Sequence, residues 1–193
     1  MKFAFCLYKY SPYSGLSRDF FRILIECQSR GHEAEVFVSA WEGAKPANAD
    51  ITVLGEWGEN FLPNHVKNRR YYRRLRRQLK ARSFDAVIGF NRMPGLDVYY
   101  GADFCYIERV RKERPPASRL MWRYRHFCAY EKAVFGTNSQ TLILSLSERG
   151  NKAYQEYHYT PDSRFYLLPP TLDLDRKPVK DRKGTRQQIR QKF

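Results

Sequence analysis

A chain of 193 residues fits one domain of ordinary size, and a hydrophobic fraction of 42% supplies a real core, which excludes a disordered polybasic tail. Its 35 Lys and Arg against 20 Asp and Glu leave a net charge of +15, so its surface attracts anionic partners. Composition alone does not choose among nucleic acid, phosphorylated ligands and acidic lipid headgroups.

Phe3–Leu7 reads as a buried strand closed by the Pro/Gly/Ser loop Ser11–Gly15. A helix follows, with Ser17 as cap, Asp19 near its start and Phe20, Ile23, Leu24 and Cys27 as its inner stripe. Gly31 ends it, and Ala34–Val38 alternates into a second strand. Strand, helix and strand in this order form a βαβ unit, which demands a parallel sheet. Asp50–Leu54 is a short strand, Asn64–Arg82 a basic helix, and Phe84–Phe90 a buried strand leading into Asn91–Gly95. Val98–Tyr106 is mixed, a short strand with a loop. Leu120–Phe135 has helical spacing, Thr141–Leu146 is a buried strand, Ser147 caps a helix over Glu148–His158, and Phe165–Leu168 is a last strand. Five or six strands alternating with helices define a doubly wound, Rossmann-like α/β domain. From Asp173 to Phe193 the chain is highly charged with almost no apolar period, so it is expected to be a flexible end or the first piece of another unit.

Cys6, Cys27, Cys105 and Cys128 lack the C-x-x-C spacing of zinc or redox sites and read as reduced thiols, which favours the cytosol. The N-terminus lacks the pattern of a signal peptide, and no run approaches the roughly 20 apolar residues of a membrane span. The four histidines show no ligand spacing with one another; His32 reads as a turn residue and His126 as a helix-face residue. No metal is expected.

In open parallel sheets, ligands bind beyond the carboxyl ends of the strands, and amides at a helix start hold phosphate. Gly15 permits a sharp turn and close approach of a ligand, and Asp19 can accept hydrogen bonds from sugar hydroxyls. The fingerprint G-x-G-x-x-G and the phosphate loop are both absent. By residue type alone, a turn glycine and a solvated acid fit as well as a binding site.

Five stretches carry a resemblance in order along nearly the whole chain. They are FAFCLYKYSPYSGLSRDFFRI, SAWEG, GFNRMPGLDVYYGADFCY, RYRHFCAYEKAVF and LLPPTLDLDRK. Together they resemble the N-terminal domain of the lipopolysaccharide core glucosyltransferases, retaining GT-B enzymes of glycosyltransferase family 4. The resemblance implies transfer of glucose from UDP-glucose to an inner-core heptose, with retention and without metal. It makes residues 1–172 the acceptor-side domain and 173–193 a linker into a C-terminal domain that holds most of the donor. Gly15 and Asp19 carry over as donor-facing residues of the opening loop, Arg176 as a basic residue for the donor diphosphate, and Asp103 as an acceptor-side candidate. No residue carries over as catalytic nucleophile. Two positions depart from the family: Ser14 replaces the first of two glycines, and Thr171 replaces a glycine after Pro169-Pro170.

Two stretches concentrate the charge. Over Lys67–Arg82, Tyr71, Leu75 and Leu79 form one inner face and arginines cover the rest. Over Tyr106–Phe135, Arg109, Arg111, Lys112, Arg119, Arg123 and Arg125 interleave with Trp122 and Tyr124. The bland reading is a solvated helix face over core aromatics. No nucleic-acid motif accompanies either stretch, so nucleic acid is not expected. The resemblance places the second stretch on the cytoplasmic face of the inner membrane, where basic residues and interfacial aromatics favour anionic lipid. The rival from another class is a non-catalytic basic α/β module that binds anionic membrane or nucleic acid.

Overall fold

The computed structural model describes residues 1–46, 49–168 and 181–192. Seven strands form one sheet in the order β3-β2-β1-β4-β5-β6-β7, every pairing parallel. They are β1 (Lys2–Tyr10), β2 (Glu33–Trp41), β3 (Asp50–Val53), β4 (Ala86–Gly89), β5 (Val98–Gly101), β6 (Leu142–Ser145) and β7 (Phe165–Leu167). The helices are α1 (Gly15–Ser29), α2 (Asn64–Ala81), α3 (Tyr106–Glu113), α4 (Trp122–Phe135), α5 (Glu148–His158) and α6 (Arg182–Lys192). The expected doubly wound class is present, with seven strands rather than five or six. The strand order reverses between β1 and β4, and there the crevice of such folds opens.

The core lies in two layers, one on each side of the sheet. Phe5, Leu7, Phe20, Leu24, Val36, Val38, Phe90 and Tyr100 pack on the α1 face. Ala4, Cys6, Phe37, Tyr71, Leu75, Tyr99, Val134 and Phe135 pack on the other. Each fully buried Phe or Leu contributes roughly 1.5–3 kcal/mol, so neither layer is dispensable.

Helix ends follow local chemistry. Gly31 sits at φ +79°, its N–H bonds to Gln28 O (2.9 Å), and the His32 N–H reaches Cys27 O (3.1 Å). That closes α1 with a Schellman motif, and the left-handed φ is why glycine stands there. Ser147 caps α5 as the spacing predicts, its Oγ accepting from the Gly150 N–H. Ser17 does not cap α1: it lies buried within the helix and its Oγ accepts from the Ser11 N–H (3.0 Å), while Ser14 occupies the cap position. Residues 106–113, read as part of a mixed stretch and basic run, form α3. The polar C-terminal segment forms α6, where Asp181 Oδ1 accepts from the Gly184 N–H (2.9 Å) and straight-chain residues suit a helix.

The carboxyl edge of the sheet is uneven. β1 pairs with β4 only as far as Cys6–Gly89, and β2 with β3 only as far as Val38–Val53. The β1–β2 ladder continues to Tyr10–Trp41, whose rings stack 3.8 Å apart.

Candidate functional site at the carboxyl edge of the sheet

The loop after β1 is fixed by its own backbone. Ser14 N–H donates to Ser11 O (3.0 Å), and Ser14 itself is extended (φ −87°, ψ 132°). A side chain at that position is therefore accommodated without strain. Gly15, the first residue of α1, has an ordinary φ, so the turn makes no use of a left-handed conformation there. It is exposed, and a Cβ built there would meet only the Arg18 guanidinium at 4.0 Å. What the glycine provides is open space above the head of a helix, where unpaired amides face outward.

Asp19 sits one turn further on. Its carboxylate accepts from the Tyr100 hydroxyl (2.8 Å) and lies 3.9 Å from the Arg22 guanidinium. Burial, then the hydrogen bond to Asp19, pushes the Tyr100 hydroxyl pKa far up, so it stays a donor. Asp103, in the loop after β5, accepts from the Tyr99 hydroxyl (3.1 Å) and lies 3.8 Å from Arg92 Nε. Because side chains alternate along a strand, these two tyrosines point to opposite faces. Gly15 and Asp19 are thus brought together on the α1 side, and Asp103 stands on the other.

Behind Asp103 lies a junction that sequence reading missed. The Glu131 side chain on α4 is fully buried and accepts from the Tyr106 N–H (2.6 Å), the Ile107 N–H (3.2 Å) and the Arg92 guanidinium. His158 Nε2 is 2.9 Å away, and the Cys105 thiol is 3.6 Å away. The carboxylate thereby holds the positive N-terminal end of α3. Burial and then Glu131 push the Cys105 thiol up to about 12. Cys105, Glu131 and His158 offer ligating atoms within 4.8 Å of one another. The carboxylate is already spent on two amides, a guanidinium and a histidine, so the cluster is organised as a structural joint. No local motif announces it.

The basic segment divides in two. Arg109 pairs with Glu113 (2.9 Å) and Lys112 with Glu108 (2.6 Å), Arg111 lies over the Tyr157 ring, and Tyr124 is half-buried beside Tyr106. Arg119, Trp122, Arg123 and Arg125 stand exposed, with Arg125 stacked 5.2 Å over Trp122. Leu120 (84% exposed), Met121 and Trp122 form an apolar wedge among these arginines. Leu120 had read as the start of a helical stripe, yet α4 begins only at Trp122 and its buried residues lie at Tyr130 and beyond. The other basic helix behaves as its spacing predicts, Tyr71 and Leu75 being buried, though Arg74 is tied to Glu56 (2.7 Å) and Glu59 (2.9 Å). No described helix is long and apolar enough to cross a membrane. Arg176 and Thr171 lie outside the described residues.

A Rossmann-ordered parallel sheet with an open, glycine-headed helix at its switch point is an architecture shared by many α/β domains, among them each half of a GT-B glycosyltransferase. The crystal structure of WaaG, described as a glycosyltransferase involved in lipopolysaccharide biosynthesis, superposes with a TM-score of 0.89 at 39% identity, over 98% of this chain and 50% of that one. The lipopolysaccharide glucosyltransferase WaaG of Escherichia coli (strain K12) is 40% identical over 189 residues, again 98% of this chain and 50% of that protein. The chain is homologous to the N-terminal part of WaaG and spans about half its length. No protein-family model matches the chain.

Proposed function

We propose that this chain forms the acceptor-side half of a retaining glycosyltransferase that moves glucose from UDP-glucose to an inner-core heptose of lipopolysaccharide. The observation that carries this reading is the 40% identity to a lipopolysaccharide glucosyltransferase across nearly the whole chain, joined to the open head of α1 at the switch point. Residues 1–172 are the acceptor-side unit in this proposal, with 173–193 leading into the donor-binding half. Gly15 and Asp19 face the donor from below, and Arg176 approaches its diphosphate, for which a guanidinium is chemically suited. No metal is required in this reading. The acceptor is lipid-anchored, so the domain works on the cytoplasmic face of the inner membrane, held there by the Leu120–Trp122 wedge and its arginines.

The test is transfer from UDP-glucose to core-truncated lipopolysaccharide by the chain joined to the C-terminal half of its relative. Transfer that falls with Asp19→Ala is expected. No transfer from any nucleotide sugar, together with undiminished binding to anionic vesicles, would establish the non-catalytic module instead. The wedge supports membrane binding under either reading.

A further inference from the structure

A cavity of about 830 Å³ opens beyond the carboxyl ends of β5 and β6, between α3 and α5. Its volume is that of a small-molecule site. Its floor is apolar, built from Ile143, Phe135, Tyr154 and Phe165, and its rim is polar, carrying Asp103, Ser147 and Arg149. Ser145, the last residue of β6, also lines it. That side chain is 4% exposed, and its Oγ has no hydrogen-bond partner. A buried hydroxyl without a protein partner is costly in a folded protein, and here it leaves a bond that a water or a ligand hydroxyl in the cavity completes.

The N-terminus of α5 meets the same cavity. Ser147 Oγ takes the Gly150 N–H, and the amides of Glu148 and Arg149, as first-turn groups, have no acceptor within the helix. The lining carries both signs, with Asp103 on the β5 side, Glu156 on the third turn of α5 and the cations Arg149 and Lys152 near its N-terminus. On α3, Lys112 and Arg109 are neutralised by Glu108 and Glu113. Arg149 and Lys152, both lining the cavity, have no ion-pair partner among the described residues. An apolar floor suits the C–H face of a sugar ring, and Asp103 and Ser145 suit its hydroxyls. Two free amides at a helix start with two unpaired cations suit a phosphate.

We propose that this cavity binds a phosphorylated sugar, with the phosphate at the N-terminus of α5 and the ring against Phe165. This deepens the transferase reading, on which it rests for the expectation that the sugar belongs to the acceptor; binding itself needs no donor and no transfer.

The experiment titrates the isotope-labelled full chain with glucose 6-phosphate, glucose and inorganic phosphate, following backbone amides by NMR. Glucose 6-phosphate should give saturable shifts at Ser145 and Ser147–Gly150, and bind at least about tenfold more tightly than either fragment. The double variant Arg149→Ala, Lys152→Ala, whose two side chains are exposed, should weaken it about tenfold or more with an unchanged Tm. Ser145→Ala should weaken glucose 6-phosphate and glucose but not phosphate. Equal affinity for phosphate and glucose 6-phosphate would leave a plain anion site and overturn the sugar assignment. Absence of shifts at Ser147–Gly150, or shifts indifferent to the double variant, would overturn the proposal entirely while leaving the transfer assay standing on its own.

Discussion

Tyr99 and Tyr100 are neighbours on β5 that divide two acids between the two faces of one sheet: Tyr99 donates to Asp103 at 3.1 Å, and Tyr100 to Asp19 at 2.8 Å. Removing either hydroxyl leaves the ring packing intact and frees one carboxylate. Tyr100→Phe should cost about 1 kcal/mol in urea unfolding, the usual net worth of one hydrogen bond. In the joined enzyme it should lower transfer by loosening Asp19. Tyr99→Phe should leave donor affinity unchanged and alter only acceptor affinity. Equal effects of both variants on donor affinity would contradict the separation of faces.

Glu131 ties Arg92, His158 and the first turn of α3 to one carboxylate. Glu131→Gln removes the buried charge that faces the Arg92 guanidinium, leaving it the more exposed Asp103 at 3.8 Å, and weakens the hold on α3. Breaking one side of a buried pair costs about 3–5 kcal/mol, so unfolding by urea should shift by that amount. A loss below about 1 kcal/mol would show the joint to be dispensable.

The same residue sets an acid limit. Burial works to raise its carboxyl pKa, but the hydrogen bond with His158, the Arg92 charge and the amides of Tyr106 and Ile107 outweigh burial and hold it below the ordinary 4.5. The unfolded chain therefore takes up that proton first. The contribution is present above pH 4.5 and is lost as pH falls through the folded value. Glu131→Gln should flatten the dependence of stability on pH in that acid range.

His126 acts in a separate window. Burial, then the neighbouring His65 and Arg69, lowers its pKa from 6.5. As pH drops below 6.5 the unfolded chain binds a proton that the folded chain resists, so stability present above 6.5 is lost toward the folded value. His126→Gln should shrink the fall in Tm between about pH 7 and pH 5. An unchanged fall would place the sensitivity elsewhere.

Vesicle binding should separate the two halves of the basic segment. Arg119, Arg123 and Arg125 changed together to Glu should release the chain from anionic vesicles, since each basic residue near such a surface is worth about 1 kcal/mol. Trp122→Ser should weaken binding by the same factor at high and low salt, because its share is not screened. Arg109→Gln with Lys112→Gln should matter much less, since Glu113 and Glu108 already neutralise them. Equal binding to neutral vesicles would remove the electrostatic account.

The alternation of strands and helices was legible because each element carries its own period. Tyr71, Leu75 and Leu79 stand four apart, and the helix they imply is present with that face inward. Ser147 sits directly before its helix and caps it. Ser17 misled because two serines flank the start of α1, and only the backbone decides which one lies outside the helix. The site was less legible. Arg92 and Glu131 are 39 residues apart and Glu131 and His158 are 27 apart, so no window contains their meeting. Leu120 reads as the start of the helical stripe, yet it lies before α4 and stands exposed, because exposure is decided by where that helix begins to pack. Membrane docking had been assigned to eight residues, and the geometry leaves four of them facing outward without an acidic or aromatic anchor outside their own helix.

The unequal strand lengths have a mechanical meaning. β1 runs from Cys6, its last pairing with β4, on to Tyr10, and β2 from Val38, its last pairing with β3, on to Trp41, an overhang of roughly 10–13 Å at the usual rise per residue. Tyr10 and Trp41 make the tip of that two-stranded tongue stiff. The chain just past β4 braces the tongue from the side, the Asn91 side chain accepting from the Tyr8 N–H at 2.6 Å. Clamped by a ring stack at its tip and braced at its flank, the tongue is a rigid rail along the carboxyl end of the sheet.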